Sequence, residues 1–157
     1  QNASTIWNLI SMHELIFSDY HPSDRPTCSA LFERNCPAYF AIEERSEYQA
    51  FLETEPKQYW LAWADNVAVA CYGVTIERNV ASINWIMVDP SHQSMGLGNT
   101  MVKRAFDLFK EHNVKELRVA TSQHANRFFQ RYGLIETSRT LHGWGKGMHK
   151  IDMVMRL

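Results

Sequence analysis

The chain of 157 residues is 45% hydrophobic and 21% charged, and its formal net charge is −1. This balance is typical of one globular domain with a full core, and we expect a single domain over residues 1–157. A charge so near zero argues against nucleic acid or an anionic membrane as a partner, and no run of about 18 apolar residues predicts a membrane span. Three widely spaced cysteines indicate reduced thiols in a cytoplasmic protein.

The amino-terminal part of the chain predicts a strand followed by a helix. We expect residues 1–11 to be a processing remnant or an extension of the domain, and the pattern of residues 4–14 is ambiguous. Residues 15–20 have the composition of a strand. A helix should begin at Ser23, with a proline in its first turn, and stop at Pro37.

A second helix is predicted from Ser46 to Pro56. Ser46 and Gln49 have the spacing of a capping box, in which each side chain bonds to the other residue's backbone N–H. Apolar side chains recur on one face of this segment, as in a helix that packs on a sheet.

The middle of the chain predicts three strands, a helix and a fourth strand. Residues 58–64, 67–77 and 80–88 are apolar runs separated by two-residue turns, which indicate an antiparallel meander. Residues 99–112 repeat apolar side chains at helical spacing, and residues 116–121 form the next strand. A strand, a helix and a strand at this spacing predict a parallel pair with a right-handed crossover.

The carboxy-terminal part predicts a short helix and a hairpin. The helix covers residues 123–132 and ends at a glycine, and the hairpin strands cover 134–141 and 151–157. Between the strands, residues 142–149 contain three glycines and Trp144. This loop is either a flexible hairpin tip or a flap over a pocket.

The junction between the third strand and the long helix is a candidate anion site. Gly96 and Gly98 lie just before the helix, whose first N–H groups are unpaired and carry a partial positive charge. Glycines there let an anion approach the backbone closely. Asn99 and Thr100 replace the Lys-Ser/Thr that ends a P-loop, and Met101 replaces the third glycine of a dinucleotide fingerprint.

The wider stretch resembles a known family. Val88, Pro90, Gln93, Gly96 and Gly98 match the acetyl-CoA-binding motif of the GNAT superfamily of N-acetyltransferases, Val-x-Pro followed by Gln-x-x-Gly-x-Gly. The resemblance covers residues 58–157 well and the earlier part loosely. It implies an α/β (α+β) fold with a mixed, mostly antiparallel sheet, a central parallel pair splayed for acetyl-CoA, and about four helices.

The resemblance also assigns a coenzyme site. Backbone N–H groups from Gln93 to Asn99 would hold the pyrophosphate, and the backbone of Met87 and Val88 would pair with the pantetheine arm. Ser122 and Asn126, four residues apart, would share a helix face and bond to the pantetheine, although Ser122 fits helix capping equally well. The predicted coenzyme-binding residues are Met87, Val88, Gln93, Ser94, Met95, Gly96, Leu97, Gly98, Asn99, Ser122 and Asn126.

The sequence departs from the family where protons are handled. Phe129 replaces the tyrosine that many members use as the leaving-group acid, and Ser82 replaces the glutamate that some use as a base. Asn84, on the Ser82 face of its strand, and His149, with a suitable pKa, are the remaining catalytic candidates. His142 and His149 could also suggest a metal site, but no third residue has a spacing that would complete it.

The leading hypothesis is an acetyl-CoA-dependent N-acetyltransferase that acts on an amine of a small molecule or a protein. The region between the first two helices walls the acceptor site in the resembled family, so Tyr39 or Phe40 could touch the acceptor. The alternatives are a catalytically silent acyl-CoA sensor or interaction module, and a nucleotide-binding fold that uses the glycines for NAD or ATP. The sequence leaves the acceptor open, as it does the choice between monomer and homodimer.

Overall fold

The computed structural model describes residues 15–157, which form seven strands and four α-helices. The predictions for residues 1–11 and 4–14 lie outside this range. The strands are β1 (Ile16–Asp19), β2 (Tyr59–Ala64), β3 (Val67–Glu77), β4 (Val80–Val88), β5 (Glu116–Thr121), β6 (Ile135–Gly145) and β7 (Met148–Arg156). The helices are α1 (Arg25–Asn35), α2 (Arg45–Glu53), α3 (Leu97–Glu111) and α4 (Asn126–Gln130).

All seven strands belong to one sheet with the order β1-β2-β3-β4-β5-β7-β6. Only β4 and β5 pair in parallel, and every other neighbouring pair is antiparallel. The predicted fold class is therefore confirmed, including the meander of β2, β3 and β4 and the crossover through α3.

Short turns set the register of the meander. Asp65 and Asn66 connect β2 to β3 with φ angles of 50° and 65°. Arg78, with a φ angle of 60°, begins the turn that connects β3 to β4. Two-residue turns with positive φ match the right-handed twist of the strands that they join, and Asp and Asn tolerate this region well.

Helices cover both faces of the sheet, so the central strands are buried on both sides. On one face, Phe32 of α1 and Tyr48 of α2 pack against Tyr59 of β2. On the other, Met101 and Phe109 of α3 belong to a larger cluster that includes strand residues. Seven consecutive residues of β3 are buried, which explains its continuous apolar run.

The predicted capping box of the second helix is wrong. A 3-10 helix, Ile42–Glu44, precedes α2, and the Glu44 carboxylate accepts the backbone N–H of Ala41 at 2.7 Å. Gln49 instead donates to Ser29 Oγ on α1 at 2.8 Å. Because α2 starts at Arg45, Ser46 lies inside the first turn and cannot act as its cap.

The last two elements also differ from their predictions. Helix α4 is shorter than the predicted 123–132, because residues 123–125 form a turn. Residues 142–149 are a paired hairpin end rather than a loop: β6 continues to Gly145, and only Lys146 and Gly147 form the turn. The pairing is irregular between Thr140 and Gly145, and such a register shift hides the alternation expected of a strand.

We predict that Gly73→Ala destabilises the fold. A Cβ at this position in β3 would lie 2.6 Å from Cδ1 of Tyr59 and 2.9 Å from the backbone oxygen of Gln58. Since Tyr59 is fully buried, the ring cannot move aside freely. The free energy of unfolding in urea should fall by about 1–3 kcal/mol with an unchanged m-value. An unchanged midpoint would show that the Tyr59 ring is loosely packed.

Candidate functional site

The central feature of the site is a gap between β4 and β5. The two strands pair through only three residue pairs, from Val80 opposite Glu116 to Ser82 opposite Arg118. Beyond Ser82, β4 continues to Val88 and β5 to Thr121 without pairing to each other. The predicted splay is therefore present, and it leaves backbone groups of both strands facing an open cleft.

A cavity of about 1180 Å³ follows this gap. Ligand pockets usually measure about 300–1,000 Å³, so this cavity has room for a large ligand and a second molecule. Gly96 and Gly98 line one part of it, the backbones of β4 and β5 its middle, and aromatic side chains another part. These aromatic residues include Tyr39, Phe40, Trp85 and Trp144.

The two glycines before α3 have different physical roles. Gly96 has φ +71°, and a Cβ there would meet nothing within 4 Å, so this glycine supplies backbone conformation beside open space. Gly98 is crowded, because a Cβ would lie 3.1 Å from Cζ of Phe128 and the ring would have to shift to admit it. Its absence of a side chain allows α3 to approach Phe128 closely.

The N-terminus of α3 presents unpaired donors to this part of the cavity. The first α-helical bond runs from Thr100 N–H to Gly96 C=O at 3.1 Å. The N–H groups of Leu97, Gly98 and Asn99 consequently have no acceptor within the helix. Residues 90–95 form a 3-10 helix with its own internal bonds, so the free donors are fewer than the Gln93–Asn99 run predicted.

Asp89 fixes the chain as it leaves β4. Its carboxylate accepts from Ser91 N at 3.0 Å, from Ser91 Oγ at 2.8 Å and from Arg34 Nε at 2.8 Å. Burial opposes ionisation, but these bonds outweigh it, and the Asp89 pKa lies below its usual range. On the same side of the cavity, Tyr39 Oη donates to Gln93 Oε1 at 3.0 Å.

A β-bulge shapes the middle of the cavity. The register with β3 shifts so that Trp85 and Ile86 face Tyr72 alone, and Trp85 has φ +46°. A bulky residue in this region is unusual and must be held by its surroundings. Tyr59 Oη donates to the Trp85 carbonyl at 2.9 Å, and the rings of Phe40 and Trp85 pack with centroids 5.9 Å apart.

The hairpin and the segment before α2 form a shared wall. Trp144 donates from Nε1 to the carbonyl of Thr121, at the end of β5, at 2.9 Å. Next to it, a Cβ on Gly145 would lie 2.7 Å from that of Ala41, so the hairpin packs tightly on this segment. The contact brings Trp144 and Glu44 to the same cavity.

Glu44 is the buried carboxyl group of the site. The residue is 3% exposed, and one oxygen accepts the Ala41 N–H. Burial raises the Glu44 pKa to about 7; the Ala41 hydrogen bond lowers it, and the nearby carboxylates Glu47 and Glu43 raise it further. A carboxyl group with such a pKa can exchange protons near neutral pH.

The structure brings most of the predicted coenzyme residues to the cavity. The cavity-lining members of the prediction are Met87, Val88, Gln93, Gly96, Gly98, Asn99 and Ser122, together with the catalytic candidate Asn84. Met95, Leu97 and Asn126 do not contribute to the lining, and Leu97 packs into the core. Ser94 belongs to the 3-10 helix.

Ser122 and Asn126 do not share a helix face as predicted, because α4 begins only at Asn126. Ser122 lies before the turn that leads into α4, and its Oγ accepts the backbone N–H of His124 at 3.2 Å. This contact stabilises the turn and does not cap α4, whose N-cap is Ala125 with no side-chain cap bond; Ser122 also lines the cavity.

The two catalytic candidates have different surroundings. Asn84 lines the cavity; its Nδ2 donates to Thr75 Oγ1 at 2.5 Å and its Oδ1 accepts from Ser82 Oγ at 3.1 Å. His149 is in the hairpin, where its Nδ1 accepts the backbone N–H of His142 at 3.0 Å, and it does not line the cavity.

Phe129 and Tyr132, in and just after α4, also offer no acid to the cleft. Phe129 is 2% exposed and packs in the core. Tyr132 donates its hydroxyl to Asn99 Oδ1, on the N-terminal turn of α3, and burial raises its pKa. Within residues 15–157, no three His, Cys, Asp or Glu side chains are grouped as a metal ion would require.

Sequence reasoning missed Glu44 and Trp85. Glu44 follows Glu43 in the chain, and nothing local distinguishes the buried carboxylate from the exposed one. Trp85 occupies an ordinary position in an apolar strand, and its bulge depends on contacts with Tyr59 and Phe40. The available signal for a site in this segment was the aromatic pair Tyr39-Phe40, which lies two residues before the two glutamates.

The chain belongs to the acetyltransferase (GNAT) family, whose pattern it matches over residues 27–134. This match confirms the resemblance seen in the sequence and agrees with acetyl-CoA as the cosubstrate. Comparison with curated protein sequences gives no match. Among residues 15–157, no helix is both long and apolar enough to cross a membrane.

Solved structures show the same fold at low sequence identity. Ard1 from Thermoplasma volcanium superposes with a TM-score of 0.76 at 16% identity, over 92% of this chain and 98% of its own. The ribosomal-protein-S18-alanine N-acetyltransferase from Escherichia coli gives 0.75 at 14% identity, over 90% and 93%. The yncA protein from Salmonella typhimurium, solved with its cofactor acetyl-CoA, gives 0.68 at 13%, over 91% and 94%.

We predict that Glu44→Gln changes how stability depends on pH. The raised pKa means that the folded state binds this proton more tightly than the unfolded state. The resulting stabilisation is present below about pH 4.5 and is lost as pH rises through about 7. Glutamine can still accept the Ala41 N–H without a charge. Relative to wild type, the variant should gain on the order of 1–3 kcal/mol of unfolding free energy between pH 5 and pH 8.

Denaturant unfolding at both pH values measures this gain, and Glu43→Gln is the matched control. Glu43 is the exposed neighbour in the same 3-10 helix and has the smallest of the named effects on the Glu44 pKa, so its variant should depart from the wild-type curve far less than Glu44→Gln does. Equal curves for wild type and Glu44→Gln would mean that Glu44 titrates like an exposed carboxyl group.

Proposed function

We propose that this protein is an acetyl-CoA-dependent N-acetyltransferase that transfers an acetyl group to an amine of a small molecule or a protein by direct attack on the thioester. The observation that carries the proposal is the gap between β4 and β5, because one continuous cavity joins it to the α3 N-terminus and to an aromatic wall, formed by Tyr39, Phe40, Trp85 and Trp144. The α3 N-terminus is a cradle for phosphate groups, the gap suits an extended arm, and the aromatic wall borders space for an acceptor. This arrangement suits a transfer between two substrates.

In the proposal, the coenzyme lies along the gap. The N–H groups of Leu97, Gly98 and Asn99 hold its pyrophosphate, with the positive end of the α3 dipole behind them. The pantetheine arm carries amide groups, and these pair with the unpaired backbone of Met87 and Val88. The thioester then lies between the bulge of β4 and the end of β5.

The remaining groups position the reaction. A bulge leaves one residue without its ladder partner, so a backbone N–H at Trp85 or Ile86 is available to stabilise the oxyanion of the attacked thioester. Asn84, whose Nδ2 and Oδ1 each retain bonding capacity beyond Thr75 and Ser82, orients a water molecule. The acceptor amine enters from the aromatic wall on the other side of the thioester.

A catalytically silent acyl-CoA sensor is the second candidate function. Phe129 and Ser82 favour it, because neither can supply or remove a proton at the positions where family members do so. Proton transfer through water or through another residue removes this objection. The aromatic wall beside the gap, where an acceptor can bind, supports turnover.

The direct test mixes the protein with acetyl-CoA and a broad panel of amines and follows the release of free thiol. We expect steady release with at least one class of amine, and mass spectrometry should find the acetyl group on nitrogen. Thermal stabilisation by coenzyme A with no release across the panel would favour the silent sensor. Stabilisation by NAD or ATP instead of coenzyme A would contradict both candidates.

We predict that Gly96→Glu raises the Kd for coenzyme A at least about 100-fold. Its carboxylate would enter the open space beside the cradle, where a like charge about 4 Å from a phosphate costs about 4 kcal/mol at an effective dielectric constant of 20. Calorimetric titration with coenzyme A measures the loss.

Two variants separate this effect from backbone strain. Gly96→Ala keeps the strain of φ +71° without a charge, and Gly147→Glu adds the same side chain at φ +79° in the hairpin turn, where a Cβ also meets nothing. Both should fold and bind coenzyme A within a few-fold of wild type. Normal binding by folded Gly96→Glu would refute the cradle.

A further inference from the structure

We propose that Glu44 is the proton acceptor for the amine, and that the acceptor enters the cavity as an ammonium ion between this carboxylate and the surrounding aromatic rings. The inference rests on the proposed function and adds the residue that removes the proton. It replaces the missing base at Ser82 with a group from a different part of the fold, the 3-10 helix before α2.

The position of Glu44 carries the argument. Glu44 lines the same cavity as Asn84 and Trp85, and the residue is 3% exposed. Only Oε2 is bonded, to the Ala41 N–H, and Oε1 has no hydrogen-bond partner within residues 15–157. A buried carboxylate with a free oxygen that borders a cavity is costly to retain unless a cation or a proton joins it.

The surroundings of Glu44 suit an ammonium group. Phe40, Trp85 and Trp144 line the cavity with it, and aromatic faces attract cations. The Lys150 ammonium already lies 5.6 Å from the centroid of the Trp144 ring, so the rings of Phe40 and Trp85 are the ones left for an acceptor cation. These residues indicate a primary amine attached to an apolar or flat group.

The charged groups near Glu44 do not neutralise it. Glu43 and Glu47 repel its charge and favour its protonation, as burial does. Arg45, the adjacent cation, is bound to Glu33 through two bonds of 2.6 and 2.9 Å. On the α1 side the titratable neighbour is Cys36, whose own pKa is raised by burial. On the hairpin side, Lys150 faces Trp144.

The proton steps balance as follows. The Glu44 carboxylate takes one proton from the ammonium, directly or through one water, and leaves a neutral amine. The nitrogen lone pair attacks the thioester carbon, the C–N bond forms, and the C–S bond breaks with its electron pair on sulfur. The nitrogen gives its second proton to the coenzyme A thiolate, and Glu44 releases its proton to solvent.

Glu44→Gln tests this role with kinetics at several pH values. We expect kcat/KM at pH 7.5 to fall about 10²–10⁴-fold, the usual contribution of a general base, while the Kd for acetyl-CoA stays within about 3-fold. The loss should shrink as pH approaches the pKa of the amine. It should also shrink for an acceptor fluorinated beside the amine, which is already neutral at the assay pH. Glu43→Gln should keep kcat/KM within a few-fold of wild type.

Carbon NMR of the labelled carboxyl group provides a readout that needs no turnover. Glu44 should titrate between about pH 6 and 8, and its signal should disappear in Glu44→Gln. Titration of Glu44 below pH 5 would overturn this inference and leave the proposed function standing. So would a Glu44→Gln enzyme with wild-type rates, or a loss that is equal for the fluorinated and the ordinary acceptor. A wild-type protein that binds acetyl-CoA and acetylates no amine would overturn the proposed function itself.

Discussion

The site depends on the early end of the pairing between β4 and β5. Three residue pairs join the two strands, and every backbone group beyond them on the facing edges lacks a ladder partner. Unpaired backbone groups are tolerated in a sheet only where water or a ligand can bond to them. The cavity along the gap meets that condition, and an extended molecule with its own amides can bond there as a strand would.

Contacts outside the gap hold it open. The antiparallel ladders of β3 with β4 and of β5 with β7 flank the separated ends. Within β4, the positive φ of Trp85 persists because Tyr59 bonds its carbonyl from the buried face. At the end of β5, Trp144 bonds the carbonyl of Thr121. The geometry is therefore set before any ligand arrives, which is the condition for efficient positioning in catalysis.

Local patterns explain which parts of the fold could be predicted. The bounds of β3, β4 and β5 follow from apolar runs and from turn residues such as Asp65 and Asn66, and these signals lie within a few residues. The capping box predicted for α2 is absent because Gln49 bonds to Ser29, twenty residues away. The end of β6 was missed because an irregular pairing hides its alternation.

The same limit applies to the site. The role of the glycines before α3 can be predicted from the sequence, because the position of the unpaired backbone donors depends only on where the helix begins. Side-chain chemistry offers no such signal: Glu43 and Glu44 are equivalent in the sequence, and only the three-dimensional packing buries Glu44 and leaves Glu43 exposed.

The two regions of the cavity differ in electrostatic character, and this difference bears on how two substrates can share it. At the start of α3, unpaired N–H groups and the helix dipole favour an anion. Along the aromatic wall, ring faces and the Glu44 carboxyl group favour a cation. An anionic coenzyme and a cationic amine in the reversed arrangement would each meet like-signed groups. For an acceptor of the proposed kind, charge therefore favours one arrangement of the two substrates, with their reactive atoms meeting at the gap between β4 and β5.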